Sequence, residues 1–391
     1  MPRRAPPAGA QKSQVPFTLS SHLRDKLERK PIMRYATFAL LLAATSVASA
    51  ADKVIGGPFV VNATSRSATV VWVVQSDEVT AKSQDGSETH TAGALHAESV
   101  TLTGLKAGTA YNYAVPGKES LKGTFKTPPR GGTPSFEFVV YGDTRTRHDV
   151  HRTVVAAIEK YAHPDFLLHT GDLVENGGDP SLWPIFFDIE GELLRTCALY
   201  PALGNHERHA RDYGDFMQAP PYYSFDWGSA HFSILDSDIG TAAATDAAKQ
   251  AYWKEQREWL EADLKKNQGS LFRFVVAHHP PMTAVSSRQG DNRHMTELMP
   301  MLEQYHVTAA LFGHDHNYQH YLKNGIHYVV TGGGGAPLYD VKMPPADITV
   351  KVMSTENFVR IRIEGDRATA QAFKPDGTTI DEFTFQGKAG Q

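Results

Sequence analysis

A chain of 391 residues with 41% hydrophobic and 21% charged content has room for two globular domains and enough apolar side chain to bury a core. A formal net charge of −4 excludes a general basic surface for nucleic acid and a polybasic hold on membranes. The single cysteine, Cys197, excludes an intrachain disulfide and any thiolate-rich zinc or iron–sulfur site; after the amphipathic segment 185–195 it reads as a small buried hydrophobe.

Residues 1–32, rich in Pro, Arg, Lys and Ser without apolar periodicity, read as disordered, or as a mis-called extension ahead of a true start at Met33. Segment 33–50 combines a positive start, an apolar run over 36–45 too short for a comfortable membrane span, and an Ala48-Ser49-Ala50 ending. These are the parts of a secretory signal peptide cleaved after Ala50, so the expectation is export to the periplasm or the medium with no stable membrane anchor. A real extension would favour a signal-anchor instead. From 54 to 127 the pattern is β, with a buried run at Ala68–Val74 and alternation over Ser99–Thr103. A turn around Gly108 precedes Tyr111, the arrangement of a tyrosine corner, and the segment reads as a small β-sandwich without ligand residues. Residues 128–134 (Pro-Pro-Arg-Gly-Gly-Thr-Pro) form a linker by composition.

Beyond it, 135–387 alternates strands and helices. Strand Phe136–Tyr141 ends at Gly142-Asp143, strand Phe166–Thr170 at Gly171-Asp172, and Ala198–Leu203 at Gly204-Asn205-His206-Glu207. Residues 222–227 and 231–235 predict a hairpin turning at Gly228-Ser229, and Tyr252–Lys266 a helix after an alanine-rich surface excursion at 243–248. Strand Phe272–Ala277 ends at His278-His279, Thr308–Phe312 at Gly313-His314-Asp315-His316, and His327–Thr331 at a run of four glycines; a β-meander closes the chain. Ligands in α/β folds gather beyond the carboxyl ends of strands, so Asp143, Asp172, Asn205, His278, His314 and His316 are expected to converge. Oxygen and imidazole donors without thiolate suit Zn, Mn or Fe, and a carboxylate can bridge two such ions, a recurrent device of phosphoryl transfer.

In that order the five tips resemble the signatures of the calcineurin-like metallophosphoesterases. The sandwich before them and Thr331–Tyr339 after them resemble the purple-acid-phosphatase-like branch with its fibronectin type III-like N-terminal domain. The resemblance implies an α+β chain, a sandwich followed by a four-layer αββα catalytic domain holding two divalent ions. It implies that Asp172 bridges them, that Asp143 and His316 hold one, and that Asn205, His278 and His314 hold the other. His206, with Asn205, would contact the phosphate, and His206 would protonate the leaving group. The implied reaction is hydrolysis of a phosphate ester by a metal-bound hydroxide, first as an acid-phosphatase-like monoesterase, alternatively as a phosphodiesterase of nucleotides or glycerophosphodiesters. A third reading is a catalytically weak binding protein.

Two departures bear on the first metal. Arg145 fills the histidine position of the first motif, and Glu175 stands where purple acid phosphatases carry a tyrosine. A guanidinium cannot ligate, so Arg145 reads as a phosphate clamp or a structural ion pair. His151, Glu175 or water then completes the first metal, with His148 a weaker candidate. Arg288 and His294 lie in a segment expected to contact substrate, Arg288 being the stronger choice. His279 is expected to pack behind the site, His169 to sit in the core, and Gly332–Gly335 to serve close backbone approach rather than to cradle phosphate.

Overall fold

The computed structural model describes residues 53–388 apart from 77–78, 83–87, 92–93, 116 and 133–134. The expected extension and signal segment lie outside the described residues.

Seven strands occupy the N-terminal part: β1 (Lys53–Val61), β2 (Ser67–Gln75), β3 (Val79–Lys82), β4 (Glu88–Thr91), β5 (Leu95–Thr103), β6 (Ala110–Val115) and β7 (Lys118–Lys126). The tyrosine corner is present, with Tyr111 Oη accepting the Lys106 amide at 2.8 Å. Then come β8 (Phe136–Tyr141), α1 (His148–Tyr161), β9 (Phe166–His169), α2 (Trp183–Leu194), β10 (Ala198–Pro201) and α3 (Arg211–Met217). The hairpin forms as β11 (Tyr223–Trp227) and β12 (Ala230–Ile234), followed by α4 (Ile239–Ala242) and α5 (Asp246–Lys266). Helix α5 starts earlier than the apolar spacing indicates, because the Thr245 hydroxyl caps it by accepting the Ala248 amide at 3.3 Å. The chain continues through β13 (Phe272–Val276), α6 (Arg293–Thr296), α7 (Met299–Gln304), β14 (Ala309–Phe312), β15 (Tyr318–Lys323), β16 (Ile326–Thr331) and β17 (Thr349–Met353). The meander β18 (Phe358–Glu364), β19 (Arg367–Phe373) and β20 (Thr379–Gln386) ends it.

Two large sheets result, one ordered β20-β19-β18-β8-β9-β10-β1-β2-β5 and the other β11-β12-β13-β14-β16-β15-β17. Alternate residues of each central strand enter different cores, which is how the layers arise. Phe136, Phe138 and Val140 of β8 meet Phe272, Phe274 and Val276 of β13 in a core between the sheets. Val139 and Tyr141 turn instead to helices α1 and α2, while Val275 and Ala277 turn to α5 and α7. Strands buried on both faces in parallel pairing read as continuous apolar runs, and that is why they were visible in the sequence.

The N-terminal strands do not stand apart from the C-terminal half. Val60 of β1 pairs in parallel with Ala198 of β10, so β1, β2 and β5 continue the larger sheet, while β3–β4 and β6–β7 form two separate pairs. The linker is fastened as well: Gly228 donates to the Pro129 carbonyl at 3.2 Å, and Arg130 bridges to Gly228. An unpaired β10 edge would leave backbone donors and acceptors without partners, and β1 supplies them.

Candidate metal centre

Ladders run up to the strand tips and lock them to one another. The Asp143 amide donates to the Gly171 carbonyl at 3.0 Å, and the Gly313 amide to the His278 carbonyl at 3.0 Å. Asp143, Asp172 and His314 adopt left-handed backbone, with φ of 60°, 56° and 68°. That conformation costs a non-glycine residue of order 1–3 kcal/mol and collects at functional sites. Gly171, at φ 98°, leaves no room for a side chain, since a Cβ there would lie 2.8 Å from Gly204 Cα and from His278 Nδ1. A Cβ on Gly332 would lie 2.4 Å from the Asp315 carbonyl oxygen and 2.8 Å from Asp143 Oδ2, so the glycine run provides close backbone approach.

The six expected ligand-type residues converge here, joined by His279. Donor atoms of Asp143, Asp172 and His316 lie within 4.8 Å of one another, and so do those of His278, His279 and His314. Asn205 Oδ1 is 3.0 Å from both His278 Nε2 and His314 Nδ1. Asp172 reaches both groups, its Oδ1 standing 3.4 Å from His278 Nε2. The donors are oriented for cations. His278 Nδ1 donates to the Thr170 carbonyl at 2.8 Å and His316 Nδ1 to the Pro337 carbonyl at 2.7 Å, which leaves each Nε2 lone pair facing the site. Burial holds the His278 and His314 imidazoles well below their usual pKa and hence neutral. Among the described residues the buried Asp143 Oδ1 has no hydrogen-bond partner, while Oδ2 accepts the His314 amide at 2.9 Å. An orphaned buried carboxylate oxygen beside a free imidazole nitrogen fits a divalent ion.

Arg145 places Nε 3.6 Å from Asp172 Oδ2 and pairs its guanidinium with the Glu175 carboxylate. His206 donates its backbone amide to Asp172 Oδ1 at 3.0 Å and fixes Nδ1 on the Glu175 carbonyl at 2.6 Å, with Nε2 3.8 Å from Asp172 Oδ2.

Three expectations change. His151 does not join the centre: its Nε2 is 2.7 Å from Glu190 Oε1, both fully buried, on the helical side of β8. Helix α1 turns that face toward α2, so the imidazole finds a carboxylate there instead of a metal. Glu175 is likewise taken by Arg145 and lies outside the group of Asp143, Asp172 and His316. Arg288 is committed internally, donating to the His314 carbonyl at 2.9 Å, Asp315 Oδ1 at 3.3 Å and Tyr339 Oη at 3.0 Å, so it braces the last tip rather than waiting for phosphate. Tyr339 in turn stacks on His316, ring centroids 4.4 Å apart. His294 bonds the Ser237 carbonyl at 3.1 Å. His279 packs 4.2 Å from the His314 ring with Nδ1 on Ser237, and His169 is a core residue pushed down to about 3 by burial.

One functional residue carried no assigned role in the sequence reading. Glu207, fully buried, accepts the amides of Gly204 at 2.8 Å, Asp172 at 2.9 Å, Leu173 at 2.8 Å and Val174 at 3.3 Å. Its only sequence signal is a charged residue next to His206 at a strand tip. For His151, replacement by Ala is expected to leave metal content unchanged, since it ligates nothing. It should lower the unfolding free energy by about 3 kcal/mol, because Glu190 Oε1 loses its buried partner while Oε2 keeps the Tyr141 hydroxyl; metal analysis and urea unfolding check the two halves.

Residues 136–318 match the calcineurin-like phosphoesterase family. An uncharacterized protein of Mycobacterium tuberculosis is 27% identical over a stretch covering 56% of this chain and 49% of its own, so the chain spans about half the length of that relative. Purple acid phosphatase 7 of Arabidopsis thaliana is 25% identical, covering 60% of this chain and 80% of its own. The structure of a purple acid phosphatase from yellow lupin (Lupinus luteus) seeds superposes with a TM-score of 0.65 at 20% identity, over 84% of this chain and 74% of that one. Residues 136–318 therefore form a calcineurin-like metallophosphoesterase domain, a hydrolase domain with purple acid phosphatases among its relatives.

Proposed function

We propose that the protein is an exported phosphoesterase that hydrolyses phosphate monoesters at a dinuclear centre of divalent ions. The observation that carries this reading is Asp172 standing between two ligand groups, with the orphaned Asp143 Oδ1 in one of them. Asp143 and His316 would hold one ion, Asn205, His278 and His314 the other, with Asp172 shared. Such a pair supplies charge neutralisation for phosphate oxygens and a water of lowered pKa. The chain's own residues do the rest. Arg145, beside Asp172, is placed to receive a phosphate oxygen. The Nδ1 proton of His206 is fixed on the Glu175 carbonyl, so Nε2 is the nitrogen that takes up a proton and returns it to the leaving oxygen. The Asn205 carboxamide turns Oδ1 toward His278 and His314, so its Nδ2 is the atom that would donate to a substrate oxygen.

The seven N-terminal strands support a fibronectin type III-like reading through the tyrosine corner and the order β1-β2-β5. The signal-like segment 33–50 supports export, and a mature N-terminus at Ala51 in protein recovered outside the cytoplasm tests it. With Glu175 at the tyrosine position, the loaded enzyme is expected to be colourless. Hydrolysis of a nitrophenyl monoester faster than of a bis-nitrophenyl diester supports the monoesterase reading. The reverse order makes it a diesterase, and no hydrolysis of either with Zn, Mn or Fe(II) added sinks the enzyme reading.

A further inference from the structure

The two halves of the centre are unequal. One has four protein donors: Asn205 Oδ1, His278 Nε2, His314 Nδ1 and Asp172 Oδ1, the last 3.4 Å from His278. The other has three, Asp143 Oδ1, His316 Nε2 and Asp172, after His151 and Glu175 have turned elsewhere. With Asp172 Oδ1 turned to His278, Oδ2 is the oxygen left for the three-donor side. Oδ2 is also the atom that the Arg145 guanidinium faces, Nε at 3.6 Å. Among the described residues that Nε has no hydrogen-bond partner, while Nη1 of the same guanidinium pairs with the Glu175 carboxylate. The guanidinium of Arg288 also acts on the His278 and His314 imidazoles. It is turned to a backbone carbonyl, to Asp315 and to Tyr339, and to no ligand atom.

We propose that Arg145 contends with a cation for Asp172 Oδ2 and so makes the Asp143–His316 position an exchangeable metal site, whereas the His278–His314 position is permanently filled. A guanidinium stays charged and cannot yield by losing a proton. The Glu175 carboxylate, half-exposed, partly offsets that charge and tunes the competition. Turnover then follows the free concentration of a divalent ion, because only the doubly loaded centre is complete. This inference rests on the dinuclear reading above.

Zn2+ titrated calorimetrically into the metal-depleted full chain tests it. The wild type is expected to show one tight equivalent and one at least roughly a hundredfold weaker, the span a fixed neighbouring charge produces. In R145Q the weak equivalent should tighten roughly ten- to a hundredfold while the tight one stays put. R145K, which keeps the charge, should remain weak. E175Q, at an exposed position that tolerates change, should weaken that equivalent further. Two equivalents of equal affinity in the wild type overturn the inference and leave the dinuclear centre standing. So does an R145K that tightens as R145Q does, or an R145Q that shifts both equivalents or neither. No zinc bound by the wild type overturns the dinuclear reading itself.

Discussion

Asp172→Asn is expected to lower kcat/KM for a phosphate ester by at least about 10^3-fold, the upper range for one electrostatic group. Both carboxylate oxygens are in use: Oδ1 faces His278 and the His206 amide, and Oδ2 faces Arg145 and the Nε2 of His206. An amide keeps one acceptor and loses the charge that two cations would share. The same substitution should not harm the fold. Burial, then the charges of Glu207 and Asp143, hold the Asp172 carboxyl well above the usual carboxylate range. A carboxyl whose folded-state pKa exceeds its unfolded value keeps its proton longer when folded. Its contribution to the metal-free protein is therefore most favourable below the ordinary carboxylate range and declines as pH rises toward the folded value. Asn has no such decline, so the metal-free variant should unfold at the same or a higher urea concentration near neutral pH. Unchanged turnover, or collapse of the fold in place of lost turnover, would contradict this assignment.

Glu207→Ala should act in the opposite way, on stability first. Its carboxylate accepts four amides from two different tips, and Ala would leave them buried without partners. Each unsatisfied group costs about 1–3 kcal/mol before relaxation. Against that stands one relieved repulsion with Asp172, so the four lost acceptors win and a net loss of about 4 kcal/mol is expected by urea unfolding. Glu207→Gln keeps one carbonyl oxygen and should fall between Ala and the wild type. With the second and third tips no longer tied, both Asp172 and Asn205 lose their positions, so metal retention should fall in the same order. An Ala variant as stable as the wild type would show that the amides find other partners.

The tips were legible because each is a local event, an apolar run buried on both faces and stopped at a ligand-type residue, after a glycine in four of the five. Asp143, Asp172, Asn205, His278, His314 and His316 all follow that rule and all meet. What was not legible depends on partners distant in the chain. His151 sits in the first turn of α1, close in sequence to Asp143, yet its neighbour is Glu190 on another helix. Arg288 reads as a free loop cation until the His314 carbonyl, Asp315 and Tyr339 are seen around it. Glu207 looks like one more polar turn residue, because the amides that it gathers belong mostly to another tip. The start of α5 was within reach, since Thr245 followed by Asp246 is an N-cap signal that the alanine-rich setting masked.

The strand pairing of Val60 with Ala198 matters beyond the architecture, for the protein's behaviour in solution. Strand β10 is short, apolar and buried on both faces, and uncovered it would offer a ready template for another chain to add to. The order β10-β1-β2-β5 moves the sheet's free border outward to β5, where Ser99, Val100, Thr101 and Thr103 are exposed and only Val100 among them is a large hydrophobe. A sticky border is thereby exchanged for a mostly hydroxyl-lined one. The N-terminal strands contribute no ligand to the six-residue centre, and they still guard the strand leading to Asn205 against pairing with its own kind.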